Sequence, residues 1–165
     1  IDQAVRRGIV RTFQQTRAFL GLTVRDNLRI ARIAASGTAQ TDELIEAFHL
    51  QPVLDRVAGD LPYATLRHLG IALALSLRPR LLLLDEPAVG LTGTEIGRLA
   101  ELIQEWNRRG VTVLLIEHNV RFLMSLSHRV AVLDRGRLLF EGTPEECRNN
   151  PRVIDVYLGR GAENA

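Results

Sequence analysis

Two adjacent carboxylates, Asp85 and Glu86, follow a run of four leucines at residues 81–84, and Pro87 comes directly after them. An uninterrupted run of large apolar side chains is typical of a strand that is buried on both faces of a parallel sheet. Open α/β folds bind ligands beyond the carboxyl ends of such strands. One carboxylate there can bind a magnesium ion while the other polarises a water molecule. The alternative is a buried strand that ends in a solvated acidic turn.

A histidine, His118, stands in a similar place farther along the chain. It follows a second apolar run at residues 111–116 (VTVLLI), with Glu117 between them. If the two runs are neighbouring strands, His118 lies at the same sheet edge as Asp85 and Glu86. A lone histidine at a strand end is usually structural or solvated. Its spacing after Glu86 is what favours a chemical role here.

The order of these segments resembles that of the ATP-binding subunits of ABC transporters. The matching segments are Phe13-Gln14 for the Q-loop, Leu61-Pro62-Tyr63-Ala64-Thr65 for the signature sequence, residues 81–86 for the Walker B strand with its catalytic glutamate, residues 88–92 for the D-loop, and His118 for the switch histidine. The resemblance covers nearly the whole chain, and Walker B followed by the histidine is its most specific part. It implies an α/β, P-loop NTPase-like ABC ATPase domain that is truncated at the N-terminus and has a helical subdomain.

The tail of the chain resembles the branched-chain amino-acid import type within that family. Members of this type carry segments like residues 141–146 (EGTPEE), 149–151 (NNP) and 156–159 (VYLG). They also favour a Leu-Pro-Tyr-Gly signature and an Ile-Glu-His sequence at the switch. The resemblance therefore implies a subunit that powers import of branched-chain or related amino acids.

The resemblance implies ATP and Mg²⁺ as cofactors and a role for each matching residue. Asp85 would bind Mg²⁺ through its water shell, since this ion sheds water reluctantly. Glu86 would be the general base toward the attacking water, and His118 would hydrogen-bond the γ-phosphate. Gln14 would offer its amide oxygen to Mg²⁺ or its water and its amide N–H to the γ-phosphate. The signature residues, Leu61 to Thr65, would contact the ATP that a second subunit holds.

Two residues depart from the family's pattern. Ala64 stands where the branched-chain type usually has glycine, and its methyl group disfavours a close backbone approach and a positive φ. Thr92 replaces the usual D-loop aspartate; it can cap the next helix but supplies no carboxylate to a partner subunit. A catalytically degenerate partner subunit, or a signature segment that serves only as a helix-capping turn, therefore stays open.

The chain has no lysine, and no phosphate-binding loop of the form GxxxxGK[ST] occurs in it. Such a loop cradles phosphates with its backbone amides and its lysine. In the family it precedes the Q-loop, so we expect it before Ile1, in a longer protein of which this is the C-terminal part. On this expectation the 165-residue chain alone has no appreciable ATPase activity. The alternative is a complete protein that never had the loop.

Composition excludes several other classes of protein. A net charge of +2 with scattered arginines gives no basic patch for nucleic acid. A single cysteine, Cys147, excludes an intrachain disulfide. The most apolar window, residues 69–84, is interrupted by Arg78, Pro79 and Arg80 and is too short to span a bilayer.

Hydrophobic periodicity predicts the elements that position these residues. Helices are expected at Thr23–Ala35, Asp42–Leu50, Thr65–Leu77, Thr94–Arg109 and Val120–Ser127, strands at Val10–Gln14, 81–84 and 111–116, a hairpin at 130–141, and a disordered tail at 160–165. The family resemblance implies four segments: the end of the N-terminal core with the Q-loop (1–15), a helical subdomain with the signature (16–76), the catalytic core with Walker B and the switch histidine (77–141), and a helical tail of the branched-chain amino-acid transporter type (142–165).

The resemblance to ABC transporter subunits implies an ATP-hydrolysing subunit that pairs with a second ATP-binding subunit, identical or different, around two ATP molecules. It would dock on membrane permease subunits at the cytoplasmic face of the cell membrane, with a solute-binding protein as an indirect partner and no nucleic acid. The alternative is a soluble ABC-type ATPase without a permease, against which the tail at residues 142–159 argues.

Overall fold

The computed structural model describes residues 2–12, 18–34 and 41–158. The predicted Q-loop residues Phe13 and Gln14 lie outside the described residues, as does the predicted disordered tail. The chain divides into two compact units, one up to Asn119 and one from Val120 onward. The four segments expected from the sequence stay a prediction.

The first unit contains a parallel three-stranded sheet and five helices in its described residues. In chain order the elements are α1 (Asp2–Arg6), β1 (Ile9–Arg11), α2 (Val24–Ala34), α3 (Thr41–Ala47), α4 (Tyr63–Ser76), β2 (Leu81–Asp85), α5 (Gly93–Arg108) and β3 (Thr112–Ile116), with 3₁₀ turns at Gln51–Val53 and Ala58–Asp60. The strand order is β1-β2-β3. Val10 pairs with Leu82, and Asp85 pairs with Ile116. The predicted α/β architecture is confirmed.

The core of this unit lies between β2 and the helices. Leu82 and Leu84 are buried, and Leu99 and Trp106 of α5 present the apolar stripe expected of that helix. Side chains from α4, α5 and β2 line one small gap in this core, among them Leu75, Leu82, Leu99 and Trp106. The helices therefore pack against the sheet whose carboxyl end carries Asp85.

The prediction that both apolar runs are fully buried strands is wrong for the described residues. In β2, Leu82 and Leu84 are buried while Leu81 and Leu83 are half-buried. In β3 burial alternates, because successive side chains point to opposite faces of the sheet and one face is the more exposed; Ile116, on that face, is 55% exposed.

Local signals set the ends of the helices where expected. The hydroxyl of Thr23 donates to Asp26 at 2.6 Å and accepts from the backbone N–H of Asp26 at 3.1 Å, which caps α2. Thr92 is the N-cap of α5. That helix ends before Gly110, whose φ of +94° suits glycine.

The second unit is a hairpin with short helices. Its elements are α6 (Val120–Leu126), β4 (Val130–Asp134), β5 (Arg137–Gly142), α7 (Pro144–Arg148) and α8 (Pro151–Val153), followed by a π-helical turn at Ile154–Leu158. β4 and β5 are antiparallel, as predicted. One buried apolar cluster of the unit contains Met124, Val130, Cys147 and Val153. In the described part of the chain, no helix combines the length and the apolar character that crossing a membrane requires.

Candidate active site

Asp85, the last residue of β2, is held by an arginine of the neighbouring strand. The Nη2 atom of Arg11 donates to the Oδ2 atom of Asp85 at 2.7 Å. β1 and β2 run parallel, so their carboxyl ends meet at one edge of the sheet and bring the two side chains together. The Arg11 side chain is 53% exposed and that of Asp85 is 18% exposed. Asp85 therefore presents a largely shielded carboxylate at this edge.

Glu86 follows β2 in an unusual backbone conformation. Its φ is +46°, in the left-handed region that few residues other than glycine adopt. Its N–H donates to the carbonyl oxygen of Ile116 at 2.8 Å, which continues the pairing of β2 with β3 by one residue. Backbone strain of this kind clusters at functional sites. The side chain of Glu86, directly after the carboxyl end of β2, is one-third exposed.

His118 lies next to Glu86, as the sequence predicted. The Nδ1 atom of His118 is 3.6 Å from the Oε1 atom of Glu86 and 3.9 Å from the Oε2 atom of Glu117. The imidazole is exposed, so it can reach a ligand outside the sheet edge. Asp85, Glu86 and His118 thus gather at one end of the parallel sheet.

Glu117 was not singled out from the sequence, yet it is the most buried side chain of this group. Its side chain has no exposed surface, and its Oε1 atom accepts from the backbone N–H of Ala88 at 2.7 Å. Its Oε2 atom accepts from the N–H groups of His118 and Asn119 at 3.1 and 3.2 Å. The available signal was an acidic residue between an apolar run and a histidine, but this pattern does not tell a buried carboxylate from a solvated one.

The predicted signature residues form the beginning of α4, which starts two residues earlier than expected. Pro62 is the N-cap residue, and no side chain caps the helix there. Uncapped N–H groups at the N-terminus of a 14-residue helix are suited to binding anions. Ala64 lies inside the first turn and is not among the residues with positive φ. The expected conflict between its methyl group and a positive φ is therefore absent.

An arginine that sequence reasoning missed connects α4 to Glu86. The buried Arg67 donates from Nη2 to the hydroxyl of Tyr63 at 2.9 Å and to the carbonyl oxygen of Glu86 at 3.2 Å. Gly90 lies close to the ring of Tyr63. A Cβ atom at this position would be only 3.0 Å from the Cε1 atom of the ring. The beginning of α4 is thereby fixed against the segment that follows β2.

The oxygen donors at this edge fit a magnesium ion that keeps most of its water. Among the described residues, no group of three or more His, Cys, Asp or Glu side chains could enclose a metal ion. The Asp85 carboxylate instead supplies hard oxygen ligands, which suits an ion held through one or two carboxylates and its own waters.

Comparison with known proteins shows the family. The family model described as "ABC transporter" matches residues 1–89, and the model described as "Branched-chain amino acid ATP-binding cassette transporter" matches residues 137–163. The chain is 40% identical to the high-affinity branched-chain amino acid transport ATP-binding protein LivG of Salmonella typhimurium, over 96% of this chain and 70% of that protein. The chain belongs to the ABC transporter ATP-binding family.

Other matches support the same assignment. The chain is 38% identical to the branched-chain amino acid transport ATP-binding protein BraF of Pseudomonas aeruginosa, over 93% of this chain and 69% of that protein. The crystal structure of the ADP conformation of MJ1267, an ATP-binding cassette of an ABC transporter, superposes with a TM-score of 0.80 at 23% identity. It covers 95% of this chain and 70% of that one, and it supports the fold. Family membership implies ABC-type ATPase activity in the context of the transporter.

Proposed function

We propose that this ATP-binding cassette powers import of branched-chain or related amino acids through a membrane permease. The observation that carries the proposal is that Asp85, Glu86 and His118 lie at one end of the parallel sheet. The Nδ1 atom of His118 is 3.6 Å from the Oε1 atom of Glu86. The names of its relatives and the match of its tail support the choice of solute class.

The roles of the side chains follow from their positions. Mg²⁺, when bound, supplies charge stabilisation to phosphoryl transfer. Asp85 would hold that ion through water, and the carboxylate of Glu86 would accept a proton from the attacking water. His118 would donate a hydrogen bond to the terminal phosphate. Gln14 would contribute its amide to the same centre, although it lies outside the described residues.

The signature residues would act on a second nucleotide. The uncapped N–H groups at the beginning of α4 would face the phosphates of ATP held by a partner ATP-binding subunit. The two subunits would bind permease subunits at the cytoplasmic face of the membrane, and a solute-binding protein would act through the permease. Because the chain has no lysine, the phosphate-binding loop would come from residues upstream of Ile1 in the full-length protein.

Glu86→Gln in the full-length gene product tests the catalytic part of the proposal. Loss of the general base should lower kcat for ATP about 100-fold or more, while ATP binding is retained. Glu101→Gln, the same change at an exposed position of α5, is the matched control and should leave kcat unchanged. Hydrolysis by Glu86→Gln at the wild-type rate would refute the role of Glu86.

Co-expression with the permease genes tests the transport part. ATP hydrolysis in proteoliposomes should rise when a branched-chain amino acid and its binding protein are present. A cassette that hydrolyses ATP but neither co-purifies with a permease nor responds to one would instead support the soluble alternative.

A further inference from the structure

The side chain of Glu117 is buried although both of its neighbours in the sequence are exposed. It stands between Ile116, which is 55% exposed, and the exposed His118, yet its own side chain is 0% exposed. Burying a carboxylate away from water is unfavourable unless hydrogen bonds replace those to water. The hydrogen bonds that Glu117 accepts therefore explain why the carboxylate can be buried here.

These hydrogen bonds connect two segments of the chain. One oxygen accepts from Ala88, in the segment that follows β2, at 2.7 Å. The other oxygen accepts from His118 and Asn119, in the segment that follows β3, at 3.1 and 3.2 Å. All three donors are backbone N–H groups. The carboxylate therefore fixes the main chain of the segment after β2 and of the segment after β3.

The connected segments are those that carry the reacting side chains. Ala88 is two residues after Glu86, and the other segment contains His118 itself. The pairing of Glu86 N–H with the carbonyl oxygen of Ile116 joins the same two segments from the other side. Glu117 and this backbone hydrogen bond therefore both join the segments that carry Glu86 and His118.

We propose that Glu117 is a positioning residue. By accepting hydrogen bonds from the backbone of both segments, it holds His118 at a fixed position relative to Glu86. The inference rests on the proposed function, in which Glu86 and His118 act on ATP. Glu117 acts through these two residues. Both oxygens of its own carboxylate accept hydrogen bonds from backbone N–H groups.

Only a carboxylate of this length satisfies all three donors. A glutamine has one acceptor oxygen, and its NH₂ group would meet at least one backbone N–H as donor against donor. An aspartate keeps both oxygens but is shorter by one methylene group. Glu117→Gln therefore releases one of the two segments, and Glu117→Asp weakens both contacts.

Steady-state ATPase kinetics of the full-length protein assembled with its permease test this role. In Glu117→Gln, kcat should fall about 10- to 100-fold, as expected when a supporting residue lets reacting groups shift by about 1 Å. The KM for ATP should stay within about twofold. Glu117→Asp should recover part of the lost kcat, and Glu101→Gln should behave as wild type.

Hydrogen–deuterium exchange without nucleotide supplies a readout that is independent of activity. In Glu117→Gln the amide of whichever segment loses its acceptor, Ala88 on one side or His118 and Asn119 on the other, should exchange faster than in wild type, while the amides of the core strand β2 stay protected. This measurement also separates the two proposals. If wild type fails to hydrolyse ATP, the proposed function is wrong, and the exchange data still decide whether Glu117 holds the two segments.

Two results would overturn the inference. One is a wild-type kcat in folded Glu117→Gln. The other is a lowered kcat with unchanged exchange at Ala88, His118 and Asn119. If Glu117→Gln does not fold, as judged by its melting transition, Glu117→Asp decides, and a wild-type kcat in that variant overturns the inference as well.

Discussion

The guanidinium Nη2 atom of Arg11 lies 2.7 Å from the Oδ2 atom of Asp85, the carboxylate that the proposed function assigns to Mg²⁺. An arginine and a divalent cation compete for the same oxygen. Under the proposed function, Arg11 would compete with the metal ion for Asp85 at the end of β2. Since its side chain is 53% exposed, the ion pair itself contributes at most about 1 kcal/mol to stability.

Replacing this arginine should change the metal dependence more than the stability. Arg11→Met should lower the Mg²⁺ concentration for half-maximal ATP hydrolysis, because Asp85 no longer has to exchange one cation for another. The measurement is a Mg²⁺ titration of the ATPase rate of the full-length protein.

A second exposed ion pair supplies the matched control. Arg25→Met removes the contact in which Arg25 Nε donates to Asp55 Oδ1 at 2.9 Å, away from the candidate site. This control should leave the Mg²⁺ titration unchanged. A higher Mg²⁺ requirement in Arg11→Met would show that Arg11 supports metal binding instead of competing with it.

Gly90 is required by its backbone conformation. Its φ is +75°, and a Cβ there would lie 3.0 Å from the ring of Tyr63. Gly90→Ala should therefore lower the free energy of unfolding by about 1–2 kcal/mol, the usual penalty for a left-handed residue with a Cβ. Urea denaturation measures the change.

Gly97 provides the opposite expectation for the same substitution. It lies inside α5, has no positive φ, and a Cβ there would meet nothing within 4 Å. Gly97→Ala should raise the free energy of unfolding by about 0.5–1 kcal/mol, because alanine loses less backbone entropy in a helix. Equal effects of the two substitutions would contradict this account of Gly90.

The substitution Ala64→Gly tests whether the alanine in the signature segment impairs ATP hydrolysis. Because Ala64 lies in the first turn of α4 without a positive φ, its methyl group causes no backbone strain. Ala64→Gly should change kcat for ATP by no more than about twofold and should lower stability by up to about 1 kcal/mol. A gain in kcat of tenfold or more would support the degenerate-partner alternative.

His68 should make the stability of the first unit depend on pH. Burial lowers the pKa of His68 below its usual value near 6.5, with smaller effects from Glu95, which raises it, and from His49 and Arg98, which lower it. The unfolded chain therefore takes up a proton at a higher pH than the folded chain. The stability that neutral His68 provides is present above about pH 6.5 and is lost as the pH falls toward the lowered pKa.

Urea midpoints at pH 7.5 and pH 5.5 check this expectation. The midpoint of wild type should fall more between the two pH values than that of His68→Gln, which carries no titrating group there. Only the difference between the two proteins is diagnostic, since other groups titrate in both. An equal fall in the two proteins would exclude His68 as the source.

Much of the local structure was predictable because its signals lie close together in the chain. The cap formed by Thr23 and Asp26 lies within one helical turn. So does the contact in which Glu95 accepts from the N–H of Thr92 at 2.7 Å. The leucine run of β2 predicted a strand, and the apolar periodicity of α5 predicted a helix, within a residue or two of their observed ends. The positions of Asp85, Glu86 and His118 at one sheet edge followed from these elements.

The sequence alone determined the elements, their caps and the family, because each depends on residue types at short spacings. Tertiary structure decided which polar side chains are buried and what they hold. Glu117 meets Ala88 across 29 residues and Arg67 meets the carbonyl of Glu86 across 19 residues. Such contacts exist only once β2 and β3 pair in one register and α4 packs beside them. A sequence pattern does not tell a solvated glutamate from a buried one, since burial depends on partners that folding brings from elsewhere in the chain.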